Sequence, residues 1–135
     1  MTVVVDASVI LKWIFPEQGS QAAAALRSSD LIAPSIWIAE AGNALWRRAA
    51  RGEIDLTQAR RLLRELRTAP LTVFEMEDDL DAALSLSVEL NHPIYDCLYL
   101  ALAVRQDTHC ITADRRFAAL ASKRAELRGR VQPLT

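Results

Sequence analysis

Apolar residues along this chain gather in two kinds of run. TVVV at 2–5, LIAP at 31–34, LTVF at 71–74 and CITA at 110–113 are short, continuous and mostly β-branched. That is the pattern of strands buried on both faces of a parallel sheet. Between them, apolar positions recur at helical spacing. SVILKWIF, with Ser8 placed to cap it, is stopped by Pro16, and QAAAALRSS follows it. SIWIAEAGNALWRRAARG begins at Ser35 and closes at Gly52; Thr57 opens TQARRLLRELRTA, whose Leu62, Leu63 and Leu66 share one face. These two segments predict an antiparallel helical pair.

DLDAALSLSVELN carries its acids at the N-terminal end, where the helix dipole favours them, and Asn91-His92-Pro93 ends it. The helix that begins near Tyr95, YDCLYLALAVRQD, is apolar almost all round and must lie centrally, covered on several sides. A short helix from Arg115 to about Ala121 and a weak strand at RVQPL complete the chain. Strands alternating with helices predict an α/β fold, a three-layer α/β/α sandwich with a mainly parallel central sheet. No linker, repeat or low-complexity tract divides residues 1–135, so one domain is expected.

Composition supports that picture and narrows it. With 135 residues, 51% of them hydrophobic, the chain can bury a proper core. No apolar run is long enough to span a membrane, and MTVVVDAS lacks the basic and apolar regions of a signal peptide, so a cytoplasmic protein without membrane contact is expected. Cys97 and Cys110 lie inside apolar runs, as buried free thiols do. The net charge of −1 hides a segregated distribution. Arg47, Arg48, Arg51, Arg60, Arg61, Arg64 and Arg67 crowd the middle, a second basic zone starts at Arg115, and Glu75 through Asp96 holds no Lys or Arg. Solvated arginine faces need no ligand, but two basic zones can also hold the phosphates of a polyanion.

Four acids stand where the pattern would place something apolar. Asp6 and Asp114 end the strands VVVD and CITAD, and the carboxyl ends of parallel strands are where ligands bind. Asp96 sits near the start of the most apolar helix, and Glu40 has Ile36 and Ala44 one turn to either side. Taken singly, each has a plain structural reading: Asp6, Asp96 and Asp114 as caps, Glu40 as the partner of an arginine such as Arg47. Neither Asp6 nor Asp96 has a cation near it in sequence, however, and four acids at element ends can converge on one crevice. Two carboxylates about 4 Å apart repel by about 4 kcal/mol at an effective dielectric of about 20. Protonation or a cation must relieve this. An all-oxygen ligand set favours a hard ion, Mg2+ or Mn2+, over zinc, for which the isolated His92 and His109 are poor ligands and read as structural.

VVVDASVILKW, the helical Glu40, IYDCLYLALA and ITADRRF together resemble the PIN-domain ribonucleases, and more narrowly the VapC-type toxins. The resemblance runs through essentially the whole chain. It implies that Asp6, Glu40, Asp96 and Asp114 surround one or two Mg2+ or Mn2+ ions, with Asp6 and Asp96 as direct ligands, Asp114 a further metal-site acid, and Glu40 and Asp114 towards the rim. Ser8 and Thr112 match hydroxyl positions of the family pattern. The implied activity is endonucleolytic cleavage of structured RNA as the toxic half of a toxin–antitoxin pair, in a homodimer bound by an antitoxin. Arg115 and Arg116, directly after Asp114, are candidates to grip a substrate phosphate, and Asn43 to orient Glu40 or a ligand. Trp13 and Phe15 are candidates for an antitoxin groove.

Two other readings compete. A phosphoacceptor receiver module also gathers aspartates at strand ends, but it uses a late lysine and the last strands here carry none before Lys123. A PIN-like scaffold without catalysis would not be expected to retain all four acids.

Overall fold

The computed structural model describes residues Met1–Thr135. In chain order it contains β1 (Thr2–Val5), α1 (Ala7–Ile10), α2 (Ser20–Ala25), β2 (Asp30–Pro34), α3 (Trp37–Ala50), α4 (Leu56–Leu66), β3 (Leu71–Phe74), α5 (Leu80–Leu90), α6 (Ile94–Arg105), β4 (Cys110–Thr112), α7 (Arg115–Ser122) and β5 (Val131–Pro133). All strand pairs are parallel, in the order β3-β2-β1-β4-β5. Val3, Val4 and Val5 are all buried although successive side chains point to opposite faces, so helices cover both sides of the sheet, as the continuous apolar run predicts. The receiver reading does not survive this topology, because receiver domains order their strands 2-1-3-4-5.

From β1 the chain winds one way through β2 and β3, and β4 and β5 lie on the other side of β1. The point where strand order reverses, between β1 and β4, is where an open parallel sheet leaves a crevice at its carboxyl end. Asp6 follows β1 directly, and Asp114 follows β4 by two residues. The pattern of the sequence therefore puts two acids on either side of the switch point.

Helix α6 is the hub of the molecule. Cys97 through Ala103 are all buried, and these residues contribute to each of the three apolar clusters: against β1 and β2, against α7 and β5, and against α5. Asn91, in the left-handed conformation at φ 51°, ends α5, and Pro93 precedes the first turn of α6. The ends of α5 and α6 remote from that turn are joined by Asp79, buried at 2% exposure, which takes two hydrogen bonds from the Arg105 guanidinium at 2.6 and 2.9 Å. Cys97 and Cys110 are free and buried as expected; burial, reinforced by Asp96, raises the Cys97 thiol to about 11.

Three local expectations need correction. Ser8 does not cap α1: Asp6 does, accepting the Ser8 N–H, and the predicted SVILKWIF helix is a single α turn that tightens into a 3-10 turn at Leu11–Trp13. Thr57 does not open α4. Asp55 does, in a reciprocal capping box with Gln58. The long helix α3 begins at Trp37 instead of Ser35, whose hydroxyl accepts the Met76 N–H and donates to Glu75. In each case a nearby acid or a partner across the fold outcompeted the local hydroxyl cap.

Candidate active site

Asp6 is only 8% exposed, and one of its oxygens carries all of its hydrogen bonds. Oδ2 accepts the Ser8 N–H at 3.2 Å, the Ser8 hydroxyl, and the Thr112 hydroxyl at 3.2 Å. Ser8 Oγ also ties the start of α1 to the end of β4 by accepting the Ala113 N–H at 3.1 Å, and Thr112 Oγ1 accepts the Asp114 N–H at 3.0 Å within its own segment. Ser8 and Thr112 thus hold the carboxylate across the crevice, and Thr112 is more than strand packing. Burial pushes the Asp6 carboxyl above its ordinary value; the Ser8 hydrogen bond opposes this and the charge of Asp96 adds to it.

Glu40, on α3, is half-buried, and its Oε1 accepts the Tyr99 hydroxyl at 2.6 Å. Burial raises its carboxyl to about 7; the Tyr99 hydrogen bond works against the rise, and the charges of Asp6 and Asp96 add to it. The charges of Asp6 and Asp96 thus reach Glu40, although burial is the larger influence on it. Asp96, in the first turn of α6, is held through Oδ2 by His92 Nε2 at 2.6 Å. The His92 ring in turn stacks on Phe117 of α7, 4.8 Å between centroids.

Two of these partners escape a reading of sequence alone. Tyr99 lies three residues after Asp96, on the same side of a helix that is otherwise apolar, so its hydroxyl was the available signal. His92 lies four before Asp96, but Pro93 between them hides a spacing that works across the helix start. The sequence expectation that His92 is isolated and merely structural is replaced by a contact with a site acid.

Asp114 plays a different part. Its Oδ1 accepts the Arg116 and Phe117 N–H groups at 3.0 and 3.1 Å and caps α7. Arg115 and Arg116 are exposed and form no ion pairs; Arg116 shares an open hollow with Asn91, His92, Asp114 and Lys123. Asn43, exposed on α3, makes no hydrogen bond to Glu40. Trp13 and Phe15 are each half core and half surface. Trp13 donates its Nε1–H to the Ala23 carbonyl at 2.7 Å, with Arg27 over its ring, and Phe15 lies under Arg48 at 3.7 Å.

As the side chains stand, no three acidic, histidine or cysteine groups are placed to hold a metal ion together. The donor chemistry nonetheless fits a hard cation. In each of the four acids the protein's hydrogen bonds engage one carboxylate oxygen and leave the other, Asp6 Oδ1, Glu40 Oε2, Asp96 Oδ1 and Asp114 Oδ2, uncommitted. None of these oxygens is sealed from solvent without a partner, and no Lys or Arg forms an ion pair with any of the four acids. Charge repulsion without a Lys or Arg to relieve it, and oxygen lone pairs held open, are what Mg2+ or Mn2+ would use.

The sequence profile of the PIN domain matches residues 3–123, a span that takes in all four acids. The chain belongs to the PIN-domain family. Over 122 residues it is 32% identical to Ribonuclease VapC3 of Pyrobaculum aerophilum, covering 87% of this chain and 93% of that one. It is 36% identical to Exonuclease VapC9 of the same organism over 84 residues, 61% of this chain and 60% of that one. VapBC2 of Rickettsia felis, solved bound to a DNA fragment from its promoter, matches the fold with a TM-score of 0.68 at 11% identity, over 100% of both chains. Within this PIN domain Asp6 and Asp114 flank the sheet's switch point, and no helix is long and apolar enough to cross a membrane.

Proposed function

We propose that this PIN domain is the toxin of a toxin–antitoxin pair, a Mg2+- or Mn2+-dependent endoribonuclease of the cytoplasm that cleaves structured RNA. The observation that carries the reading is the set of mutually repelling acids Asp6, Glu40 and Asp96, each fixed through one oxygen and open at the other. The likeness to Ribonuclease VapC3 over most of both chains supports the substrate class.

A hard divalent cation, when bound, supplies the Lewis acidity that phosphodiester hydrolysis needs. Asp6 and Asp96 would be the principal residues to hold it, and Asp114 would add a further carboxylate. Ser8, Thr112 and His92 keep those carboxylates from swinging, which preserves the geometry on which in-line attack depends. Glu40, with its carboxyl near 7, is suited to accept the proton of the attacking water, and the Tyr99 hydroxyl aims it. Arg115 and Arg116 stand free beside Asp114 to receive a phosphate. Purified chain should cut a structured RNA with Mg2+ or Mn2+ and not with EDTA, and it should linearise a circular RNA, which offers no end to an exonuclease. Cleavage indifferent to EDTA sinks the reading.

Two partner proposals rest on surface features. Trp13 borders shallow hollows with Ile14, Ala24 and Arg27, and with Phe15 it forms the antitoxin anchor. Trp13→Ala and Phe15→Ala are expected to weaken antitoxin binding by at least about tenfold; unchanged calorimetric affinity counts against the groove. On α5, Leu80, Leu84 and Val88 recur at four-residue spacing and are 39%, 55% and 77% exposed, an apolar stripe suited to a second copy of the chain. Leu84→Glu with Val88→Glu should turn a dimer into a monomer in sedimentation.

A further inference from the structure

Tyr95 is 56% exposed although it stands next to Asp96, and its hydroxyl makes no hydrogen bond within the protein. Its ring borders an open hollow of about 450 Å³ with Ile36, Ala39, Glu40, Asn43 and Arg47. Ile36, Glu40, Asn43 and Arg47 follow one another at four, three and four residues, so they form a single stripe along α3 that faces the first turn of α6. Each unspent group in the hollow suits a different part of one ligand. The Tyr95 ring is a bare aromatic face. The Asn43 amide, exposed and without a partner, offers both a donor and an acceptor. Arg47 is exposed and has no ion pair, whereas the neighbouring Arg48 and Arg51 are both drawn to Glu53, at 3.7 and 3.8 Å.

Arg47 also borders the adjoining hollow, whose wall includes Ser8, Lys12, Arg48 and Arg51 and a single acid, Glu17, which pairs with Lys12 at 3.1 Å and with Arg48 at 3.6 Å and leaves the wall net positive. An aromatic, amide-bearing hollow and a cationic one therefore meet at Arg47, with Glu40 in the first and Ser8, the hydroxyl on Asp6, in the second. A flat π-system next to a run of cations matches an unpaired nucleotide: base on the aromatic, phosphate on the arginine. A double helix would keep its bases stacked inside and could not use Tyr95.

We propose that this hollow is a nucleobase subsite, in which one unstacked base of the RNA lies on Tyr95 with its edge towards Asn43, and its phosphate is passed by Arg47 into the Ser8–Lys12–Arg51 hollow. The inference rests on the RNA-cleaving reading above and assigns the substrate an unpaired nucleotide beside the scissile bond.

The test measures binding and cleavage separately. Binding is read by fluorescence anisotropy with a short single-stranded oligoribonucleotide, and with copies made abasic one position at a time, using the uncut Asp6→Asn chain. Tyr95→Ala in that chain is expected to weaken binding about 10- to 100-fold, and Tyr95→Phe, which keeps the ring, no more than about threefold. One abasic position should cost affinity with Tyr95 present and cost nothing after Tyr95→Ala. In the cleaving chain the loss should fall mainly on KM. Equal binding by Tyr95→Ala, or equal damage by Ala and Phe at an unchanged melting temperature, overturns the subsite, as does a Tyr95→Ala effect confined to binding of a protein partner. If the unsubstituted chain cuts no RNA yet the abasic pattern holds, the subsite stands and the nuclease reading falls.

Discussion

Asp6→Asn is expected to lower metal-dependent RNA cleavage by at least about 100-fold while leaving the chain folded. Asparagine keeps the size of the side chain, and its carbonyl can still accept the Ser8 N–H, so the start of α1 retains an effective cap. What disappears is the negative charge at the most buried of the acids and an anionic oxygen for the cation. Asp6 feels Asp96, so removing its charge also relaxes Asp96 and Glu40, and the substituted chain should be no less stable than the parent in EDTA at pH 7.5. Single-turnover cleavage at saturating Mn2+, paired with thermal melting, separates the two effects. Retained cleavage in a folded Asp6→Asn chain would move the reacting centre away from the switch point.

The second large effect is on stability as a function of pH. Glu40 titrates at about 7 in the folded chain against an ordinary 4.5, because burial and then the charges of Asp6 and Asp96 outweigh the Tyr99 hydrogen bond. A carboxyl whose folded pKa is raised keeps its proton better when folded. Its contribution is fully present below about pH 4.5 and is lost as pH rises through about 7. Without metal, melting temperature should therefore fall over that interval, the loss from this group being at most about 3 kcal/mol. Asp6, raised by burial, acts in the same direction. Glu40→Gln should flatten the fall, and Mn2+ should restore more stability at pH 8 than at pH 5, since protons and cation compete for the same oxygens. A metal-free profile that rises through this interval for both chains contradicts the assignment of charge repulsion to the site.

These expectations depend on residues of unequal visibility. Asp6 and Asp114 were legible because a β-branched run that ends in an acid is a local pattern, and the parallel sheet puts such ends together. Asp96 and Glu40 stood out as charges among apolar neighbours. Their holders did not. Ser8 and Thr112 meet at the Asp6 carboxylate from positions 106 residues apart for the Thr112 contact, and Tyr99 reaches Glu40 across 59 residues. The family pattern marks Ser8 and Thr112 as hydroxyl positions, but nothing local pairs Thr112 with Asp6 or Tyr99 with Glu40. Asp79 with Arg105 is the same case: an acid in an acidic segment, buried because a distant guanidinium comes to meet it.

By itself the sequence determined the order of strands and helices, the central place of α6, the burial of the thiols and which acids stand among apolar neighbours, because hydrophobic period and turn chemistry act over a few residues. The tertiary structure decided which strand lies beside which, that Asp6 rather than Ser8 caps α1, that Asp114 caps α7, that Tyr99 bonds Glu40 and that His92 bonds Asp96. Those outcomes turn on competition among partners brought together by folding, where the winning hydrogen bond is set by position in space and not by distance along the chain.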